Sequence, residues 1–182
     1  MKPLSYLSLV LTVVVVLVPT VPAGAQAPDL AKSVTLSAHG GVTLNVPSWQ
    51  PGRSEDTVAI FERVGGETRG GFTTLVLAVE EASKDPKSVK WDAVRDNILG
   101  AAKGAGSNLT LSLVGDWGGA SGFSGQRLRG AMRSGDRDVA VEMVILVASG
   151  LMVTVTALGA SGDARLVPLT DAVAKTARRK AP

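Results

Sequence analysis

The chain has 182 residues, a formal net charge of +3, one histidine and no cysteine. So small an excess of positive charge, dispersed along the sequence, does not favour a nucleic-acid-binding protein. The absence of cysteine excludes disulfides and the lipid-modified cysteine of a bacterial lipoprotein.

Residues 1–25 have the features of a secretory signal peptide, with a cationic start at Lys2 and an apolar core over 4–18. Prolines follow the core, and cleavage is predicted after Ala25. An uncleaved membrane anchor is the less favoured alternative, because the core is shorter than the roughly 20 residues a span needs. We therefore expect an exported protein, periplasmic or extracellular, with no stable membrane span after cleavage.

Cleavage leaves 182 − 25 = 157 residues, a length that suits one domain. We interpret residues 26–32 as a flexible lead, because Pro28 and small residues offer little to bury. Residues 33–181 then form the single predicted domain.

Short segments in which apolar and polar residues alternate dominate the first half of that domain. They predict strands over 34–38 and 42–46, joined by a turn at His39 and two glycines. Residues 48–56 are predicted to be a loop, and 58–64 with 72–81 a second hairpin.

The spacing of the apolar residues then changes from every second residue to about every 3.6 residues, which predicts a helix. Asp85 or Ser88 is predicted to cap this helix, and Gly104 and Gly106 to end it. Two strands follow, over 109–114 and 123–132, on either side of a glycine-rich bend at 115–122. A closing helix with an apolar stripe is predicted to begin near Asp163 or Pro168.

The longest apolar stretch after the first twenty residues, 139–158, is predicted to form the paired central strands. Ser149 and Gly150 suit a two-residue turn, which fixes the register. The predicted pairs are Ala148 with Leu151, Val147 with Met152, Leu146 with Val153, Ile145 with Thr154, and Val144 with Val155. Since both faces of this hairpin are mostly apolar, the sheet should be covered above and below.

The order of elements indicates an α+β fold. We expect a three-layer α/β/α sandwich with a central, mostly antiparallel sheet of about six or seven strands and one main helix on each side.

Residues 42–49, with the sequence VTLNVPSW, resemble the opening of the PsbP-like family, in which a turn and strand lead into V-P-x-W. The hairpin, mid-chain helix, long hairpin and terminal helix that follow are similar in order, so the resemblance covers most of 33–181. It implies a PsbP-like fold and a non-catalytic accessory or assembly role. It assigns no functional residue to a position in this sequence.

Catalytic groups are sparse. A serine hydrolase would need His39 as the base for Ser121 or Ser124, but the surrounding GFSG does not fit the G-x-S-x-G elbow. A lone histidine beside two glycines is more often an exposed turn residue, so we predict no catalytic residue.

Other motifs favour structural explanations. Residues 115–125 lack the lysine of a phosphate-binding loop and are better explained as a strand bend. Asp136, Asp138 and Glu142 lack the ligand ladder of a calcium site. The cationic tail at Lys175, Arg178, Arg179 and Lys180 is explained by the dipole at a helix end, although weak attachment to an anionic membrane is an alternative. No metal or cofactor is predicted.

The leading functional hypothesis is a protein that binds another envelope protein, with Trp49 and Trp117 as its interaction residues. The alternative is a small-ligand or lipid carrier with a pocket between sheet and helix, lined by residues such as Trp91 and Trp117. An uncharacterised hydrolase is the third hypothesis.

Overall fold

The computed structural model describes residues 28–63, 72–83 and 85–179. The predicted signal peptide, its cleavage after Ala25 and Lys180 lie outside these residues. No helix in the described part of the chain has both the length and the apolar character needed to cross a membrane.

Seven antiparallel strands form the main sheet in the spatial order β3-β4-β5-β9-β8-β7-β6. Their bounds are β3 Gln50–Ser54, β4 Val58–Glu62, β5 Thr73–Glu81, β6 Thr110–Trp117, β7 Ser124–Ser134, β8 Arg137–Ala148 and β9 Leu151–Ala160. The apolar hairpin of β8 and β9 therefore lies in the interior of the sheet, with β9 as the middle strand.

The predicted register of the β8–β9 hairpin is confirmed at all five pairs, from Ala148 opposite Leu151 to Val144 opposite Val155. Gly150 has a φ of 77°, the left-handed conformation that the tight turn requires. Both faces of the hairpin are buried, because side chains from β8 enter two separate core clusters.

A second, three-stranded sheet has the order β1-β2-β10, where β1 is Lys32–Leu36, β2 is Val42–Val46 and β10 is Arg178–Arg179. The prediction of one sheet was therefore incomplete. Arg178 and Arg179 were predicted to lie at a helix end, but the closing helix ends at Lys175 and both arginines pair with β2. This pairing depends on a tertiary contact rather than on local sequence.

Two stretches predicted to be irregular are extended. Residues 48–56 were predicted as a loop, yet Gln50–Ser54 pairs with β4 as an edge strand interrupted by a bulge at Pro51 and Arg53. The strand predicted over 109–114 continues to Trp117 through a bulge between Leu113 and Gly115. Both strands lie at an edge of the sheet, where the alternation of apolar and polar residues is less regular.

The mid-chain helix α1, Trp91–Gly104, begins later than predicted. Asp85 caps a separate 3-10 turn at Pro86–Ser88 by accepting a hydrogen bond of 3.0 Å from the backbone N of Lys87. Helix α1 packs on β6, and Ile98 and Ala102 enter the same core cluster as Ile145 and Val147 of β8.

The closing helix α2, Leu166–Lys175, covers the opposite face of the main sheet. Leu166, Leu169 and Val173 pack with Val144 and Val155 in the other core cluster. The α+β class and the placement of one helix on each face agree with the predicted sandwich, but the small sheet shares the α2 layer, because β2 also contacts this helix.

Candidate functional site

Trp117 ends the edge strand β6 and packs inward, with 8% of its surface exposed. It pairs with Gly125 of β7, and a Cβ at Gly125 would lie 3.0 Å from Cε3 of the indole. Glycine at this position therefore lets the indole lie close against the sheet.

Polar contacts fix the Trp117 ring against α2. The indole Nε1 donates a hydrogen bond of 2.8 Å to Oδ1 of Asp171, and Arg127 of β7 donates to the same oxygen. Arg127 and Asp171 are both mostly buried. One carboxylate from the closing helix thus holds side chains from two neighbouring strands.

A shallow recess of about 450 Å³ lies between the end of β6 and the C-terminal half of α2. Arg127 and Lys175 contribute positive charge to its lining, and Asp116 and Asp171 contribute negative charge. At its rim Val114 is 52% exposed, the one large apolar side chain in the described residues that is so open to solvent. We call this site the Trp117 recess.

Trp49 lines a second cavity of about 330 Å³, at the N-terminal end of α2. Leu169 of α2 and Arg165, the residue before this helix, form one wall, and Arg63, just after β4, with Thr73, the first residue of β5, forms another. Pro47 and the N-terminal residues Pro28 and Asp29 complete the lining. We call this site the Trp49 cavity.

A nearly buried carboxylate organises the charges at the Trp49 cavity. Asp163, with a side chain 7% exposed, accepts hydrogen bonds of 2.8 and 2.7 Å from the guanidinium of Arg165 and one of 3.0 Å from its backbone N. Burial by itself would raise the pKa of Asp163, but these hydrogen bonds and the charges of Arg165 and Arg63 lower it. The carboxylate is therefore held in its ionised form.

The two predicted interaction residues, Trp49 and Trp117, occupy two separate sites near opposite ends of α2. A pocket shared by Trp91 and Trp117 is not present, because these rings pack with different core clusters, on opposite faces of the main sheet. That part of the ligand-carrier hypothesis was wrong.

The structure places the remaining candidates apart from these sites. His39 is exposed in a 3-10 turn with a φ of 53°, and Ser121 and Ser124 are exposed in and after the bend. Glu142 is 6% exposed and forms an ion pair with Arg129. No cluster of three or more histidine or acidic side chains suited to a metal ion occurs within the described ranges.

Sequence reasoning missed the charged residues that build both sites: Arg63, Arg127, Arg165 and Asp171. Asp171 contacts partners 44 and 54 residues away in the sequence. No local pattern connects such positions, so only the tertiary fold brings them together.

No protein-family model matches the sequence, and no curated protein matches it. A crystal structure from Bacteroides thetaiotaomicron VPI-5482 is similar, with a TM-score of 0.58 and 11% identity over 84% of this chain and 50% of that one. The chain thus spans about half the length of that protein, and at this identity the likeness concerns the fold alone.

Two further solved structures have lower TM-scores. The protein of unknown function PA94 from Pseudomonas aeruginosa has a TM-score of 0.41 and 15% identity, over 73% of this chain and 86% of that one. LpqN, involved in cell envelope biogenesis of Mycobacterium tuberculosis, has a TM-score of 0.43 and 16% identity, over 80% of this chain and 89% of that one. At these TM-scores neither likeness supports a functional argument. The PsbP-like resemblance is neither confirmed nor contradicted.

Proposed function

We propose that this chain is a non-catalytic, exported domain of the PsbP-like type that binds another protein of the cell envelope as an accessory or assembly factor. The observation that carries the proposal is the edge of β6 beside the Trp117 recess. Strand β6 ends the seven-stranded order, and no other strand in the described part of the chain pairs with its outer edge. An extended segment of a partner can add to such an edge through main-chain hydrogen bonds.

The two edges of the main sheet differ in ways that favour β6. Strand β3 has only five residues and includes Pro51, which removes a backbone donor and discourages edge pairing. Strand β6 has eight residues and no proline, and it exposes the apolar side chain of Val114; both edge strands contain one bulge, so the bulge does not distinguish them. The recess beside Val114 offers an apolar contact and charges of both signs for the side chains of an added strand.

The chemistry of the recess supports binding rather than turnover. Asp171 is engaged by Trp117 and Arg127, so its charge is already neutralised by an ion pair. The only histidine, His39, lies in an exposed turn away from the residues lining the recess. Nothing at this edge pairs a nucleophile with a base, which is the arrangement that covalent catalysis needs.

The experiment is affinity capture from an envelope fraction, with a tagged form of the chain that begins at Gln26 as the bait. We expect a partner to be retained above a mock control, and Val114→Glu to lower the retained amount about tenfold by placing a charge at the contact. Ser33→Glu is the matched control, because it adds the same charge at an exposed position of β1 in the other sheet.

Circular dichroism melts should show both variants folded like wild type, since both sites are exposed. Retention of no partner at several salt concentrations would contradict the proposal. Equal capture by Val114→Glu and wild type would contradict the assignment of the β6 edge.

A further inference from the structure

We propose that the Trp49 cavity binds a small amphiphilic anion: an acidic group held by arginine, joined to a flat apolar group that packs on Trp49. The cavity lies at the N-terminal end of α2, whereas the Trp117 recess lies toward its C-terminal end, so this inference does not depend on the partner-binding proposal.

An arginine that has no acidic partner among the described residues favours an anion in the cavity. The charges of Arg165 and Arg63 both act on the Asp163 carboxylate, but its hydrogen bonds are with Arg165. The side chain of Arg63 makes no hydrogen bond or ion pair with any residue in 28–63, 72–83 or 85–179. Asp163 therefore engages Arg165 and leaves Arg63 without an acidic partner among the described residues, and Asp29, also in the lining, forms an ion pair with neither arginine.

Arg63 is also placed to present its charge. Its backbone N donates a hydrogen bond of 3.1 Å to the carbonyl oxygen of Thr73, which also lines the cavity, so the backbone of Arg63 is fixed beside it. Its side chain is exposed and lines the space itself. A guanidinium so placed can offer two parallel donors to a carboxylate or phosphate.

The remaining wall selects for an apolar group. Trp49 is half-buried, and its inner part packs against the core next to α2 while the residue also lines the cavity. Leu169 and Pro47 add apolar surface beside it. A volume of about 330 Å³ is at the lower end of the range for small-molecule sites, which excludes a long acyl chain but suits a compact amphiphile.

Asp29, in the N-terminal part of the lining, shapes the specificity. It lines the cavity without forming an ion pair with either arginine in the described structure. Its carboxylate would repel a second acidic group directed outward, so the ligand should carry its negative charge at one end only.

The test is isothermal titration calorimetry of the chain from Gln26 with three probes. Naphthalene-1-acetate carries both required features, naphthalene-1-acetamide lacks the charge, and inorganic phosphate lacks the flat group. We expect the acetate to bind at least about tenfold more tightly than the other two, since a hydrogen bond to a charged group is worth about that factor or more.

Variants locate the site. Arg63→Gln should weaken binding of the acetate about tenfold, because it removes the positive charge while keeping a polar, exposed side chain. Arg133→Gln is the matched control, an exposed arginine on β7 outside the cavity, and it should change the affinity less than about twofold. Val114→Glu should also leave this affinity unchanged.

Three results would overturn the proposal: no binding of the acetate at millimolar concentration, equal binding of the amide or of phosphate, or an affinity of Arg63→Gln equal to that of wild type. If the envelope capture experiment fails but the acetate binds selectively and in dependence on Arg63, the partner-binding proposal falls and the cavity assignment stands.

Discussion

The indole of Trp117 and the carboxylate of Asp171 are joined by a hydrogen bond of 2.8 Å that links the end of an edge strand to the closing helix. The same carboxylate holds Arg127, so the position of α2 and the geometry of the β6 edge are coupled through one side chain. A change at Asp171 should therefore affect both stability and the surface proposed to bind a partner.

Asp171→Ala should lower the free energy of unfolding by about 1 to 3 kcal/mol, because it leaves the indole N–H and a mostly buried guanidinium without their acceptor. Urea denaturation followed by tryptophan fluorescence measures the change. Asp96→Ala is the control, since Asp96 is an exposed partner of Arg95 beyond the first turn of α1 and its loss should leave the midpoint nearly unchanged. Equal midpoints for Asp171→Ala and wild type would show that the contact is not maintained in solution.

Val144→Asp should unfold the domain. Val144 is fully buried opposite Val155 and beneath α2, so an aspartate there would lack a partner at a cost of several kcal/mol, against a typical total stability of about 5 to 15 kcal/mol. Arg179→Asp should remain folded, because Arg179 is exposed in β10. Thermal melts by circular dichroism compare them, and a Val144→Asp protein melting within a few degrees of wild type would refute the assignment of this hairpin to the covered centre of the sheet.

Gly130→Ala and Gly100→Ala should shift stability in opposite directions. A Cβ at Gly130 would lie 1.7 Å from the carbonyl oxygen of Thr110, so the β6–β7 pairing must move, and we expect a loss of at least about 1 to 3 kcal/mol. Gly100 is exposed within α1 with nothing within 4 Å of the new Cβ, so alanine should add about 0.5 to 1 kcal/mol through helix propensity. Chemical denaturation tests both, and destabilisation by Gly100→Ala would contradict this account.

Glu80→Gln should be more stable than wild type at pH 7. Oε1 of Glu80 is buried and has no hydrogen-bond partner in the described structure, and burial raises the pKa of this carboxyl above its ordinary value. The folded state therefore binds the proton more tightly than the unfolded state. The stability gained from that proton is complete below the unfolded pKa and is lost as the pH rises through the folded one.

The gap in denaturation midpoint between Glu80→Gln and wild type should accordingly shrink as the pH falls through the raised pKa of the folded state, and be smallest below about 4.3, the ordinary value for glutamate. Glu62→Gln, an exposed carboxylate on the neighbouring strand β4, controls for the loss of a surface charge. A gap that is the same at pH 7 and pH 4 would show that ionisation of Glu80 is not its cause.

The central hairpin could be predicted from sequence because two independent signals agree there. The turn residues Ser149 and Gly150 fix the pairing, and a run apolar on both faces demands cover on both sides. Strand β3 could not be predicted, because all five of its residues are exposed and one is Pro51, so no alternation marks it. Its pairing comes from β4 beside it.

The candidate sites were predictable only through their aromatic residues. Trp49 and Trp117 are conspicuous in a sequence with three tryptophans, and both line a recess. The charges around them come from elements that meet only in the folded chain. Asp171, for example, looks in the sequence like any polar residue on an amphipathic helix. Its role depends on contacts with β6 and β7, so the residues next to it in the sequence do not indicate it.

The small sheet has a consequence for the order of folding. Strand β2 pairs with β10, and the backbone N of Asn45 donates a hydrogen bond of 2.8 Å to the hydroxyl of Thr176, 131 residues later in the sequence. Closing so large a loop has an entropic cost that must be met before the contact forms, and folds rich in such distant pairings fold slowly. During synthesis the early strand β2 must therefore wait, with one edge unpaired, until nearly all of the described chain has been made.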